Sequence, residues 1–171
     1  KKNILSINDK PLIAYSILAS INSLANDTWV STEDEMIKKV SIDWGAKVID
    51  RPKEFATDAS MNEPSLLQFA EQENFDWLIF IQPTSPFIKT EYINMGIEMI
   101  KTGRYDSVFT ATKKHWAPTW TNDIKPINWD IFDRPRRQDR DDHYEENGMF
   151  YITSKHRLLE SKIRYGGVMG I

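Results

Sequence analysis

The sequence predicts an α/β chain with a mostly parallel, doubly wound sheet, and three observations carry that reading. Helix-period and strand-like stretches alternate with short connections from Pro11 to Thr112. The run Trp77-Leu78-Ile79-Phe80-Ile81 is continuously apolar, as expected of a strand buried on both faces of a parallel sheet. It stops at Gln82-Pro83-Thr84-Ser85-Pro86, a polar loop at the strand end where open α/β sheets hold their ligands. Read from its residues alone, that loop is either a binding floor or a proline-stiffened turn.

In chain order, Pro11 to Leu24 carries Leu12, Ile13, Ile17, Leu18, Ile21 and Leu24 at a helix period, with Pro11 suited to the first turn. Asp27 to Ser31 reads as a short strand. Thr32 with Glu35 fits a capping box for a helix that buries Met36, Ile37 and Val40 and stops at a left-handed Gly45. Lys47-Val48-Ile49 is a second strand, ended by Arg51-Pro52. Asn62 is placed to cap a helix with Pro64 in its first turn and Leu66, Leu67 and Ala70 facing inward. After the glutamine loop, Thr90 to Thr102 is helical, with Tyr92, Ile93, Ile97 and Ile100 on one side and Gly103 as its stop. Asp106 to Thr112 is the next strand. From Lys113 the period is lost: Trp116, Trp120, Trp129 and Phe132 are scattered among three prolines, which predicts an arm or lid over residues 114–135. Tyr144 to Ile152 turns into an apolar strand, Ser154 to Ser161 is a short helix, and Val168 begins a last strand.

Composition narrows the class. A chain of 171 residues suits one domain, 1–171, with a sizeable core. The net charge of −3 gives no reason to expect nucleic acid or an anionic membrane as partner. The absence of cysteine excludes disulfides, thiolate metal sites and a cysteine nucleophile. No run reaches the length of a membrane span and no signal peptide opens the chain, so an intracellular, soluble protein is expected. The chain starts at Lys1 without methionine and stops at Ile171 within an apolar run, as expected of a piece of a longer protein.

Few side chains stand out as chemistry. Arg136 and Arg137 are the best anion binders, because guanidinium forks match carboxylate and phosphate oxygens. The plainer alternative is a solvated cluster in which they pair with Asp139, Asp141 and Asp142. Arg51 follows a strand and can face the same sheet edge as the glutamine loop, or be a surface arginine. His115, His143 and His156 are not at metal-ligand spacing, and there is no serine elbow, phosphate-cradling Walker loop or dinucleotide fingerprint. Asp58 and Asp139 are the acids nearest the candidate loops, without forming a paired-carboxylate pattern.

Gln82-Pro83-Thr84-Ser85-Pro86, Ser31-Thr32-Glu33, the run from Arg51 to Asp58, Asp106-Ser107-Val108, Arg136-Arg137-Gln138-Asp139 with Tyr144 and Asn147-Gly148, and the segment from Asn8 to Ile13 together resemble the N-acylneuraminate (sialic acid) cytidylyltransferases. Gln82-Pro83-Thr84-Ser85-Pro86 is similar to that family's QPTSP loop, and Ser31-Thr32-Glu33 stands where it has S-T-D. Arg51-Pro52-Lys53-Glu54-Phe55-Ala56-Thr57-Asp58 matches R-P-x-E-[LF]-A-T-D, and Asp106-Ser107-Val108 resembles D-S-V. Arg136-Arg137-Gln138-Asp139, then Tyr144 and Asn147-Gly148, resembles R-R-Q-D…Y-x-x-N-G, and Asn8 to Ile13 resembles G-K-P-L-I. The matches keep family order over nearly the whole chain.

The resemblance implies a three-layer α/β/α fold of the nucleotide-diphospho-sugar transferase (Rossmann-like) type with an extended dimerisation arm. It also implies transfer of CMP from CTP to the anomeric hydroxyl of a nine-carbon sugar acid, with Mg²⁺ and release of pyrophosphate. Arg51, Ser60, Asn62, Gln82, Pro83, Thr84 and Ser85 would hold the nucleotide. Arg136, Arg137, Gln138 and Asn147 would orient the sugar acid, with Arg137 on its carboxylate, in a homodimer with neither nucleic acid nor membrane as partner. The family's glycine-rich lysine loop is represented only by its tail, Lys2-Asn3-Ile4, and its first strand is absent. Its D-I-D metal motif would lie beyond Ile171, so catalytic residues and Mg²⁺ ligands are expected outside these residues, which alone are expected to be inactive. Glu33 replaces an aspartate, Phe87-Ile88 replaces Leu-Arg, and Glu145 stands where some members have arginine. A Kdo-type or other sugar nucleotidyltransferase, and a non-catalytic nucleotide-binding scaffold, are the alternatives.

Overall fold

The computed structural model describes residues 1–57 and 59–171. The chain forms two compact units, one of Lys1–Thr110 with Gly148–Ile171 and one of Ala111–Asn147. Among the described residues the first holds the α-helices α1 (Leu12–Ile21), α2 (Glu35–Asp43), α3 (Glu63–Gln72), α4 (Thr90–Lys101) and α5 (Lys155–Ser161). The strands are β1 (Ser6–Ile7), β2 (Lys10–Pro11), β3 (Trp29–Thr32), β4 (Lys47–Asp50), β5 (Trp77–Ile81), β6 (Ser107–Lys114), β7 (His143–Ser154) and β8 (Met169–Gly170). β1 and β2 make a small antiparallel hairpin. β3 and β4 pair in parallel, as do β6 and β8. A four-stranded sheet runs β5-β7-β6-β8, with β7 antiparallel to β5. The α/β class and its parallel pairing are those the sequence predicts; the antiparallel β7 is the addition.

The two-residue period of β5 places the layers. Ile79 and Ile81 pack with Phe150 and Ile152 of β7 against Ala19 of α1 and Ile93 and Ile100 of α4. Leu78 and Phe80 point the other way, to Leu66 and Ala70 of α3 and Leu158 of α5. Helices therefore cover both faces, which is why the run has no polar alternation. None of the five residues is fully buried, however, and Trp77 is 40% exposed. The reason is position: among the described residues β5 is the end strand of its sheet, with β7 on one flank and no strand on the other, although both faces are packed. A third cluster joins Ile13 and Ile17 of α1 to Ala46, Val30, Ile37 and Val40 beside β3 and β4.

Several local expectations are met and others corrected. Gly45 and Gly103 follow α2 and α4 with φ of 92° and 70°. The cap of α2 is Asp34 rather than Thr32; its Oδ1 accepts from the Met36 and Ile37 amides at 2.9 and 3.1 Å. Thr32 is instead the last residue of β3, and its Oγ1 accepts from the Asp34 amide. Asn62 occupies the position before α3 but makes no capping bond, its backbone already being helical. Met36, Ile21 and Tyr92, expected inside, are exposed because their helices bury a narrower stripe than the apolar pattern suggests, and Leu24 is exposed because α1 ends at Ile21, before reaching it.

The Asp106-Ser107 pair holds β8. The Asp106 carboxylate accepts from the Val168 amide at 2.8 Å and from Arg157 Nε at 3.1 Å. Ser107, fully buried, donates to the Gly166 carbonyl and accepts from the Gly166 amide.

In the second unit the chain has little regular structure. Trp120 bridges to Pro126, and the Trp120 and Trp129 rings meet edge-on with centroids 5.0 Å apart. Asn128 clamps the segment by donating to the Ala117 carbonyl and accepting from the Thr119 amide. The Arg140 guanidinium lies 3.8 Å from the Trp116 ring centroid and donates to the Pro135 carbonyl.

The Val168 amide, followed by Arg157, holds the Asp106 carboxyl below its ordinary value of 3.8. A depressed carboxylate stabilises the fold fully above that ordinary value, and the contribution is lost as pH falls through the lower folded value. Asp106→Asn should therefore lower the melting temperature at neutral pH, with the gap to the parent narrowing below pH 3.8. A gap that stays constant down to pH 2.5 in thermal scans, roughly the bottom of the useful range, would show that the charge is not the stabilising feature.

Candidate active site

Three residues stand directly beyond the carboxyl ends of strands, where open α/β sheets present ligand sites. Glu33 follows β3, Arg51 follows β4 and Gln82 follows β5. The first two are joined: Arg51 Nε and Nη2 both donate to Glu33 Oε2, at 2.9 and 2.5 Å. Arg51 is therefore a part-buried, oriented side chain rather than a loose surface arginine, with 27% of its side chain exposed. Burial is the strongest single influence and pulls the Glu33 carboxyl upward, but the Arg51 hydrogen bonds, the Glu33 backbone amide and the Arg51 charge together leave its pKa below the usual glutamate value.

The glutamine loop is built from successive turns. The Gln82 amide donates to the Met149 carbonyl on β7, the Ser85 amide to the Gln82 carbonyl, and the Ile88 amide to the Ser85 carbonyl. Pro83 and Ser85 are half-buried and Thr84 is exposed. Gly148 lies against the Gln82 carboxamide: a Cβ there would stand 3.2 Å from Gln82 Oε1, and φ is 68°. Glycine meets both conditions, the left-handed backbone and the close approach.

Ser60 serves the loop that carries it. Its Oγ donates to the Glu54 carbonyl, accepts from the Thr57 amide and shares a 2.7 Å hydrogen bond with the Thr57 hydroxyl. Asn62 leaves its side chain exposed at the entrance to α3. Asp58 lies outside the described residues. Among the described residues no hydrogen bond joins Arg51 or Ser60 to the Gln82 loop; each is held by its own neighbours.

The sugar-acid candidates belong to the second unit. Arg136 is taken by Asp139, with Nε and Nη2 donating to the two carboxylate oxygens at 2.6 and 3.1 Å. The solvated-cluster alternative thus describes Arg136. Arg137 and Gln138 are exposed in the short turn Arg137–Asp139, and Arg137 makes no ion pair among the described residues. Asn147 Nδ2 donates to Thr112 Oγ1 at 3.4 Å. Lys113 and His115 both approach Asp142. Among the described residues no group of three or more acids or histidines is placed to hold a metal ion. A shallow pocket of about 400 Å³ between α1 and the start of α4, lined by Tyr15, Leu18, Asn22 and residues 88–91, contains none of the candidate residues.

What the sequence did not reveal is Glu33 as the partner of Arg51. The available signal is their equivalent position, one residue past the ends of neighbouring strands.

The Cytidylyltransferase family profile matches residues 1–165, and the chain belongs to that family. It is 36% identical over 174 aligned positions to N-acylneuraminate cytidylyltransferase A of Danio rerio, covering 97% of this chain and 40% of the relative. It is 32% identical to the CMP-N,N'-diacetyllegionaminic acid synthase of Legionella pneumophila, covering 96% of this chain and 75% of that protein. The chain thus spans about 40% of the length of the fish relative. Among solved structures, a CMP-2-keto-3-deoxy-manno-octonic acid synthetase complexed with CTP superposes with a TM-score of 0.70 at 15% identity, over 94% of this chain and 70% of that one. A 4-diphosphocytidyl-2C-methyl-D-erythritol synthase from Anaerococcus prevotii gives 0.68 at 11%, over 94% and 69%. These last two establish the shared fold.

Gly148→Ala is expected to cost about 1–2 kcal/mol in urea denaturation, through the left-handed backbone and the crowded Gln82 carboxamide. Adding Gln82→Ala should recover only the crowding share. A Gly148→Ala protein as stable as the parent contradicts this conformation.

Proposed function

We propose that the full-length polypeptide transfers CMP from CTP to the anomeric hydroxyl of sialic acid or a related nonulosonic acid. The hydroxyl oxygen bonds to the α-phosphorus as the bond to the β-phosphate oxygen breaks. Pyrophosphate leaves with that electron pair, and the hydroxyl proton is released. The observation that carries the reading is a family match along nearly the whole chain, with Arg51 and the Gln82 loop both beyond the carboxyl ends of strands. Displacement at phosphorus asks a protein chiefly for positioning and charge neutralisation, which suits oriented guanidinium and amide groups.

On this reading Arg51, Ser60, Asn62 and the loop from Gln82 to Ser85 hold the nucleotide. Ser60 acts by fixing the loop from Glu54 to Ser60. Arg137 takes the sugar carboxylate, since Arg136 is already neutralised by Asp139. Gln138 and Asn147 orient the rest of the sugar acid. Mg²⁺ belongs to the proposal as the ion that neutralises triphosphate charge; the described residues do not themselves make its site, and no step is assigned through it.

The test is pyrophosphate release by the full-length protein with CTP and sialic, legionaminic or pseudaminic acid, each against Kdo in competition. Arg137→Ala should raise KM for the sugar acid by about tenfold or more, with a smaller effect from Arg136→Ala. Absence of turnover with every nonulosonic acid refutes the reading.

We also propose a homodimer formed through the second unit. Trp120, Ile124, Ile127, Ile131 and Phe132 are all exposed there, Phe132 at 96%, and such an apolar surface suits a covered interface. Sedimentation of the full-length protein should give a dimer at micromolar concentration; a monomer under those conditions rules this out.

A further inference from the structure

We infer that Glu33 is a positioning residue for the nucleotide site, acting by holding the guanidinium of Arg51 in one orientation. The inference rests on the proposal that Arg51 contacts the nucleotide. The parallel β3–β4 ladder ends at the pair Thr32 and Asp50, and the Arg51 amide carries it one bond further by donating to the Thr32 carbonyl at 3.2 Å. Glu33 and Arg51 are thus the side chains of the next rung, at the sheet edge where ligands sit.

The glutamate is fixed on both sides by its neighbours. Thr32 is 2% exposed, and its hydroxyl accepts from the Asp34 amide. Asp34 in turn caps α2 through the Met36 and Ile37 amides. The backbone of Glu33 is therefore tied to the end of a strand and the start of a helix, a rigid mounting for its carboxylate.

Oε2 accepts from both Nε and Nη2, which occupies one edge of the planar guanidinium. The remaining Nη1 has no hydrogen-bond partner among the described residues. Both side chains keep about a quarter of their surface exposed, at 27% and 28%, so the pair is neither sealed in the core nor free in solvent. A part-exposed ion pair contributes little to stability, whereas a group held in place for a ligand contributes to affinity. The chemistry of the pair therefore points to aim rather than to fold stability.

The experiment is steady-state pyrophosphate release by the full-length protein at saturating sugar acid, with CTP varied. Glu33→Gln, which keeps the shape and removes the charge, should raise KM for CTP about tenfold with kcat within about twofold. Glu33→Asp should restore KM to within about threefold of the parent, because the charge returns one methylene further back. Arg51→Ala should raise KM at least as much, and the double variant Glu33→Gln with Arg51→Ala should be no worse than Arg51→Ala alone. Multiplicative effects of the two changes, an unaltered KM in Glu33→Gln, or no rescue by Glu33→Asp would each overturn the inference. A parent protein that turns over CTP while Arg51→Ala leaves its KM unchanged overturns Arg51 as a nucleotide contact. A parent that releases no pyrophosphate overturns the proposed function itself, and this inference with it.

Discussion

The first unit depends on strands that must be covered on two sides. Ile79, Ile81, Phe150 and Ile152 make one apolar surface of the β5–β7 pair, and Leu78 and Phe80 make the other. Neither can be left to water: burying one large aliphatic side chain is worth roughly 1.5–3 kcal/mol. Helices α1 and α4 answer one surface, α3 and α5 the other. Each connection between strand and helix is consequently forced to an end of the sheet, and Glu33, Arg51 and Gln82 all occur in connections at the carboxyl ends. The placement of the candidate site is thus a by-product of how the core is closed.

Charge is distributed differently from apolar surface. The Arg51–Glu33 pair is part-exposed and the Arg136–Asp139 and Lys113–Asp142 pairs are largely exposed, so none of the three contributes much to stability. Their effect is geometric. Arg136 is spent on Asp139 three residues along its own turn, whereas Arg51 is held by a residue from the neighbouring strand end. The first arrangement neutralises a cation and the second aims one.

Much of the fold was legible because its signals are local. The period of Ile13 and Ile17, the left-handed Gly45 and Gly103, and the inward Leu66, Leu67 and Ala70 depend only on near neighbours in sequence. Where several residues qualify for one role, local rules choose poorly. Thr32 and Asp34 are both good caps, and the outcome depends on β3 continuing through Thr32 in register with Asp50. The Arg51–Glu33 pair was not legible because its partners are 18 residues apart and meet only once β3 and β4 are side by side. The family-like motifs located Arg51, Gln82 and Arg137 without saying what holds each in place. The exposure of Ile21, Leu24 and Tyr92 was hidden for the opposite reason: an apolar residue in helical register reads as core whether or not another element covers it.

The open flank of β5 bears on how these residues behave by themselves. Trp77-Leu78-Ile79-Phe80-Ile81 contains no charge, proline or glycine, and among the described residues only β7 pairs with it. An uncharged apolar strand with an unoccupied row of backbone donors and acceptors is a template for strand addition, and natural sheets protect such edges with charges, bulges or a covering segment. The β5 edge is therefore the place in this sheet where a further strand, from this chain or another, would find backbone partners already in register.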